Sequence, residues 1–212
     1  MPHPLIKSAF GLALGFLMIS PAMAVPFTLP ETSLGNFQFD NDVEQFDFSI
    51  GIGAVVTIET VSFLGGDSVS DPVVPLPGGG FDPILTLYDS TGTVLAFNDD
   101  IDTPGGDWDA LIELTLDPGI YTVALTQYIN FFDGDVGDNI SNGFLFDGPS
   151  DNFTGPLFGC SNGSFCADGG ENRSSFYAVN FSAQAVPEPG TLALLGFGLV
   201  GAGVFYRRRR QD

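Results

Sequence analysis

The chain has 212 residues and a formal net charge of −20, and between Val25 and Val186 it sets 24 acidic residues against a single Lys or Arg, Arg173. A domain so poor in cations cannot neutralise phosphates, which excludes nucleic acid and anionic membrane surfaces as partners. Its one histidine is His3 and its one lysine is Lys7, so the region beyond them has no Ser-His-Asp or Cys-His mechanism, no His-ligated zinc, no Schiff-base lysine and no P-loop.

Taken from the start, Lys7 precedes an apolar run over residues 9–19 and the small-residue site Ala22-Met23-Ala24. That order predicts a signal peptide over residues 1–24, and therefore export. An acidic ectodomain over residues 25–185 follows, long enough to bury a sizeable core. Its abundant Phe, Val, Leu and Ile argue against disorder.

The ectodomain reads as strands. Residues 43–50 alternate, with Phe46, Phe48 and Ile50 on one face and Gln45, Asp47 and Ser49 on the other, the pattern of a half-buried strand. Residues 55–63 are a second β-branched run. Residues 84–88 and 93–97 flank Asp89-Ser90-Thr91-Gly92, which reads as a hairpin loop, and residues 111–116 and 121–128 flank Asp117-Pro118-Gly119-Ile120, where Pro and Gly supply the turn geometry. Residues 176–181 close the series. Strands at this spacing predict an all-β fold, an antiparallel β-sandwich or jelly roll. Two Gly-rich insertions, residues 65–80 and 130–172, are expected on the surface.

The acidic clusters differ in promise. Asp99, Asp100 and Asp102, followed by Asp107 and Asp109, put five carboxylates in one loop between strands. Oxygen-only ligands on a flexible loop suit calcium, so these five are the candidate metal ligands; the competing expectation is a solvated loop whose Asp side chains cap turns. Asp133-Gly134-Asp135-Val136-Gly137-Asp138 begins like an EF-hand, but Asp138 stands where the loop needs Gly and Phe144 where it needs Glu, so it reads as a loop tip. Asp40-Asn41-Asp42-Val43-Glu44 reads as a charged strand edge that blocks sheet-to-sheet pairing.

Cys160 and Cys166 are the only cysteines, and in an exported protein they are expected to form a disulfide. Trp108, Tyr128, Phe131 and Phe132 offer either packing or a sugar-stacking platform. Paired carboxylates are the only catalytic option left, and with so many acidic residues a suitable pair arises by chance. The composition therefore predicts a non-enzymatic protein. A carbohydrate-binding module using Trp108 and Asp side chains is the first alternative, and a carboxylate-based glycan hydrolase the second.

Residues 186–212 form the tail. Pro187, Glu188 and Pro189 make a stiff extended hinge that neither continues a helix nor joins a central strand. Residues 191–206 are uncharged; as a transmembrane helix at about 1.5 Å per residue they span roughly 24 Å, slightly short of a hydrocarbon core of about 30 Å. Arg207, Arg208, Arg209 and Arg210 then hold the end on the cytoplasmic side.

This three-part tail resembles the PEP-CTERM sorting signal of Gram-negative bacteria, which implies an exosortase as processing partner and transient residence in the inner membrane. The final location implied is the cell surface or an extracellular matrix, with extracellular polysaccharide or biofilm as the associated material. A second resemblance lies in the ectodomain. Residues 43–48, then 81–89 with Gly92, then Leu95-Ala96-Phe97-Asn98-Asp99-Asp100, then residues 118–123 occur in an order similar to the bacterial pre-peptidase C-terminal domain. It implies a small β-sandwich with an accessory or binding role, in some members loaded with calcium. The insertion at residues 130–172 departs from that pattern.

Overall fold

The computed structural model describes residues 27–67, 75–101, 108–146, 153–160 and 165–186. The residues expected to form a signal peptide, the Pro-Glu-Pro hinge, the apolar run and the terminal arginines lie outside them. Among the described residues no helix is long and apolar enough to cross a membrane.

Among the described residues eleven strands, a 3-10 turn at Ile140–Asn142 and one short α-helix follow in chain order: β1 Phe27–Thr28, β2 Thr32–Asn36, β3 Glu44–Ile50, β4 Ala54–Thr60, β5 Pro83–Asp89, β6 Val94–Asn98, β7 Leu111–Leu116, β8 Gly119–Gln127, α1 Thr154–Phe158, β9 Cys166–Ala167, β10 Glu171–Asn172 and β11 Phe176–Ala185. They build a five-stranded sheet in the order β1-β3-β8-β5-β6, a four-stranded sheet in the order β2-β11-β4-β7, and a small β10-β9 ribbon. Every pairing between these strands is antiparallel. The architecture is therefore an all-β sandwich, as the alternating strands predict.

The period-2 geometry of each strand sends alternate side chains to opposite faces. Phe48, Ile50, Leu85, Leu87, Val123 and Leu125 of the larger sheet meet Val56, Ile58, Ile112, Val179 and Phe181 of the smaller one in a single core. Phe181 packs against both Phe46 and Phe48, at ring-centroid distances of 5.8 and 6.1 Å. Each fully buried side chain of this size contributes roughly 1.5–3 kcal/mol by leaving water.

The two sheets differ on their outer faces. β4 alternates buried and half-buried residues, as a strand covered on one side should. In β5 every residue from Pro83 to Tyr88 is buried, because a second apolar cluster covers its other face: Tyr88, Val94 and Ala124 pack with Phe132 and Phe144. Those two Phe belong to the second insertion. Phe165, from the same insertion, reaches the main core and stacks on Phe81 at 5.7 Å. The expectation of a purely superficial insertion is corrected here: three of its aromatic rings are structural, which a Gly-rich segment without periodicity does not announce.

Two local features explain the remaining pairings. β2 was not legible as a strand, yet it pairs with β11 along five residues. Its Gly35 leaves room for the Tyr177 ring lying across it. The turn between β5 and β6 is set by Asp89, whose Oδ1 accepts from Thr91 N at 2.8 Å and Thr93 N at 3.0 Å, while Gly92 takes the left-handed φ of +84° that the turn needs.

Candidate functional site

The antiparallel hairpin of β5 and β6 places Leu85 opposite Asn98. The residue before β5, Asp82, therefore arrives beside the residues that follow β6, Asp99 and Asp100. β8 pairs Gln127 with Pro83, which brings Tyr128 to the same end of the sheet and lets its N–H donate to the Asp82 carbonyl at 2.8 Å. Trp108 and Asp168 complete the lining of a cleft of about 110 Å³.

One carboxylate oxygen each from Asp82, Asp99 and Asp100 lies within 4.8 Å of the others. Asp82 is 3% exposed, and its Oδ1 is buried without a hydrogen-bond donor, as is Oδ1 of Asp99. Burial pushes the Asp82 carboxyl up to about 8, helped by the charges of Asp99, Asp100 and Asp109 and opposed by Arg173. Asp99 is raised to about 7, first by burial and then by the charge of Asp100. The loop itself is fastened: Asn98 donates from Nδ2 to the Asp100 carbonyl at 3.1 Å and accepts from Leu111 N at 2.8 Å.

The aromatics of the cleft are braced from behind. Trp108 stacks on Phe63 with centroids 5.2 Å apart, and the Arg173 guanidinium lies 3.4 Å from the Phe63 ring centroid. Arg173 also donates to Glu171 at 2.8 Å and reaches the Phe63 carbonyl at 3.4 Å. Tyr128 stacks on Phe158 and meets Phe131 edge-on.

Of the five carboxylates expected to share a metal, the structure brings Asp99 and Asp100 together and separates Asp109. The Asp109 carboxylate accepts from Thr60 Oγ1 at 2.9 Å, Ser62 N at 2.9 Å, Phe63 N at 3.1 Å and Leu64 N at 3.1 Å. It fixes the chain leaving β4, so its oxygens are committed. Asp102 and Asp107 lie outside the described residues. Asp82 and Asp168 were missed. The only trace of Asp82 in the sequence is its place before Pro83, at a strand start; Asp168 has no local signature beyond its position between Cys166 and Gly169-Gly170.

Other acidic residues serve the fold. Asp40, read as an exposed edge charge, is instead fully buried and accepts from Thr154 N and Thr154 Oγ1, both at 2.8 Å, tying α1 to the sandwich. Asp138 accepts from Asp135 N at 3.0 Å and closes its own exposed loop tip. The structure joins Cys160 to Cys166 in a disulfide with Cα atoms 5.9 Å apart, linking the end of α1 to β9 and so to the segment that carries Asp168.

Fold and site together define an acidic β-sandwich with an oxygen-lined cleft at one end. Residues 185–210 match the PEP-CTERM protein-sorting motif. The motif makes this an exosortase-sorted, secreted protein that is exported across the inner membrane to the surface or extracellular space. No curated protein matches the chain.

Proposed function

We propose that the protein is a non-enzymatic module displayed at the cell surface or in an extracellular matrix, associated with extracellular polysaccharide. In this reading residues 1–24 are the export signal, residues 25–185 the displayed domain and residues 186–212 the sorting tail. The supporting observation is the junction. β11 ends at Ala185, the last backbone bond to the sheet runs from Val186 N to the Gly53 carbonyl at 2.9 Å, and the sorting motif starts at residue 185. The sandwich is thus complete where the tail begins, and cleavage near Pro187-Glu188-Pro189 would release it whole.

Replacing Pro187, Glu188 and Pro189 by Ala in the native host should leave a larger, membrane-retained form. Mass spectrometry that finds Arg207 to Arg210 on the mature surface protein would overturn the processing half of the reading.

A carbohydrate-binding role is favoured by Trp108 and Tyr128 lining the acidic cleft, since aromatic faces and carboxylates together suit sugar rings and hydroxyls. Glycan-array binding without release of reducing ends supports the module; release of reducing ends would favour the hydrolase.

A further inference from the structure

We propose that Asp82, Asp99 and Asp100 hold one calcium ion at the shared end of β5, β6 and β8. Calcium takes oxygen ligands at about 2.3–2.6 Å, so oxygens facing each other across one ion stand about 5 Å apart or less. The three carboxylates meet that limit, with one oxygen each inside 4.8 Å. Two further observations point to a ligand rather than to a chance cluster.

The first is Asp82 Oδ1. A buried oxygen without a donor costs several kcal/mol when its group is charged, and a native fold retains such a group only where something else satisfies it. Asp82 is 97% removed from solvent by its 3% exposure, and neither its Oδ1 nor that of Asp99 meets a donor. The second is the position of the one available cation. Arg173 is the only Lys or Arg between Val25 and Val186, and it is spent on Glu171, the Phe63 carbonyl and the Phe63 ring. Among the described residues there is no other Lys or Arg side chain to face these carboxylates.

The donor set selects the ion. Both cysteines are in the disulfide and no histidine follows His3, so nitrogen and sulfur ligands are absent and zinc is disfavoured. Magnesium demands near-ideal octahedral geometry, whereas calcium accepts irregular sets of six to eight oxygens. Asp100 is exposed, so the remaining coordination positions face water at the cleft mouth. Asp168 lines that mouth and adds negative charge.

The test uses the full chain purified in detergent and stripped with chelator, with terbium(III) and then calcium chloride as the probes. Trp108 is the only tryptophan and lines the cleft, so tryptophan excitation should sensitise terbium emission that calcium reverses. Asp82→Asn and, separately, Asp99→Asn should weaken calcium by about tenfold or more. Asp135→Asn, on the exposed loop tip, should leave the response unchanged. Asp82→Asn keeps the size of the buried side chain, so a variant that folds at least as well as the parent yet loses the emission supports the site directly. The proposal fails if Asp82→Asn and Asp99→Asn both respond as Asp135→Asn does, because the ion would then be held by diffuse negative charge.

Discussion

Asp82 and Asp109 are equally buried, each 3% exposed, yet their surroundings differ. Asp109 is met by a hydroxyl and three backbone N–H groups. Asp82 keeps an oxygen with no donor and looks across at two more carboxylates. The difference lies in the backbone around them. The chain leaving β4 turns its N–H groups inward on Asp109, as a nest does for an anion. Among the described residues, the cleft beside Asp82 is lined by other acids and the rings of Trp108 and Tyr128. A buried carboxylate with its donors in place is part of the scaffold; one without them is poised for an external cation.

The sharpest way to break this comparison is Asp109→Ala. Four donors would lose their acceptor at once, and stability should fall by about 3–5 kcal/mol, read as a lower urea midpoint. A loss below 1 kcal/mol would mean that water replaces the carboxylate and that the two sites are alike after all.

Calcium should act on the other side of the comparison only. At about 100 times its dissociation constant it should add about 2.7 kcal/mol, seen as a higher melting temperature. Chelator should remove the gain, Asp82→Asn should abolish it, and matched sodium chloride should not reproduce it.

Opening the disulfide tests how the cleft is supported. Replacing Cys160 and Cys166 by Ser should cost about 2 kcal/mol in the chain-entropy picture. Hydrogen exchange should quicken first over residues 153–160 and 165–168, which carry Asp168, while the amides of Ser62, Phe63 and Leu64 stay protected by Asp109. Equal loss of protection at both places would show that the insertion and the sandwich unfold as one unit.

The smallest effect expected is a gain. In chelator, Asp82→Asn should stabilise the protein by about 1–2 kcal/mol at pH 8. The gain should be pH-dependent, and its sign follows from linkage. The Asp82 carboxyl titrates near 3.8 when unfolded and at about 8 when folded. Between those values the folded parent holds a proton that the unfolded chain has released, so its stability falls as pH rises through that window. Asn does not titrate, so the advantage of the variant should fade toward pH 4 and grow toward pH 8. A gain independent of pH would show that Asp82 stays charged in the metal-free fold.

These contrasts also separate what was legible in the chain from what was not. The alternation of Phe46, Phe48 and Ile50 announced β3, and Asp89 to Gly92 announced a hairpin, because strand period and turn geometry are properties of a few adjacent residues. Asp99 and Asp100 were picked out by adjacency and by the Asn-Asp-Asp resemblance, and the same adjacency added Asp109, whose oxygens are met by other donors. Asp82 lies 17 residues before Asp99 in the sequence, and no local rule joins them.

The sequence by itself determined the sorting tail, the acidic and cation-poor character of the domain, and the β-strands that build it. Each is written in contiguous residues and needs only local rules of charge, hydropathy and period. Only the tertiary structure decided which carboxylates converge, which are saturated, and that Phe132, Phe144 and Phe165 form part of the packing. Those outcomes depend on register between strands distant in sequence, above all Leu85 against Asn98 and Pro83 against Gln127. Whether a buried oxygen finds a donor is fixed by the neighbours that register delivers, and a neighbour in space leaves no mark beside its partner in the chain.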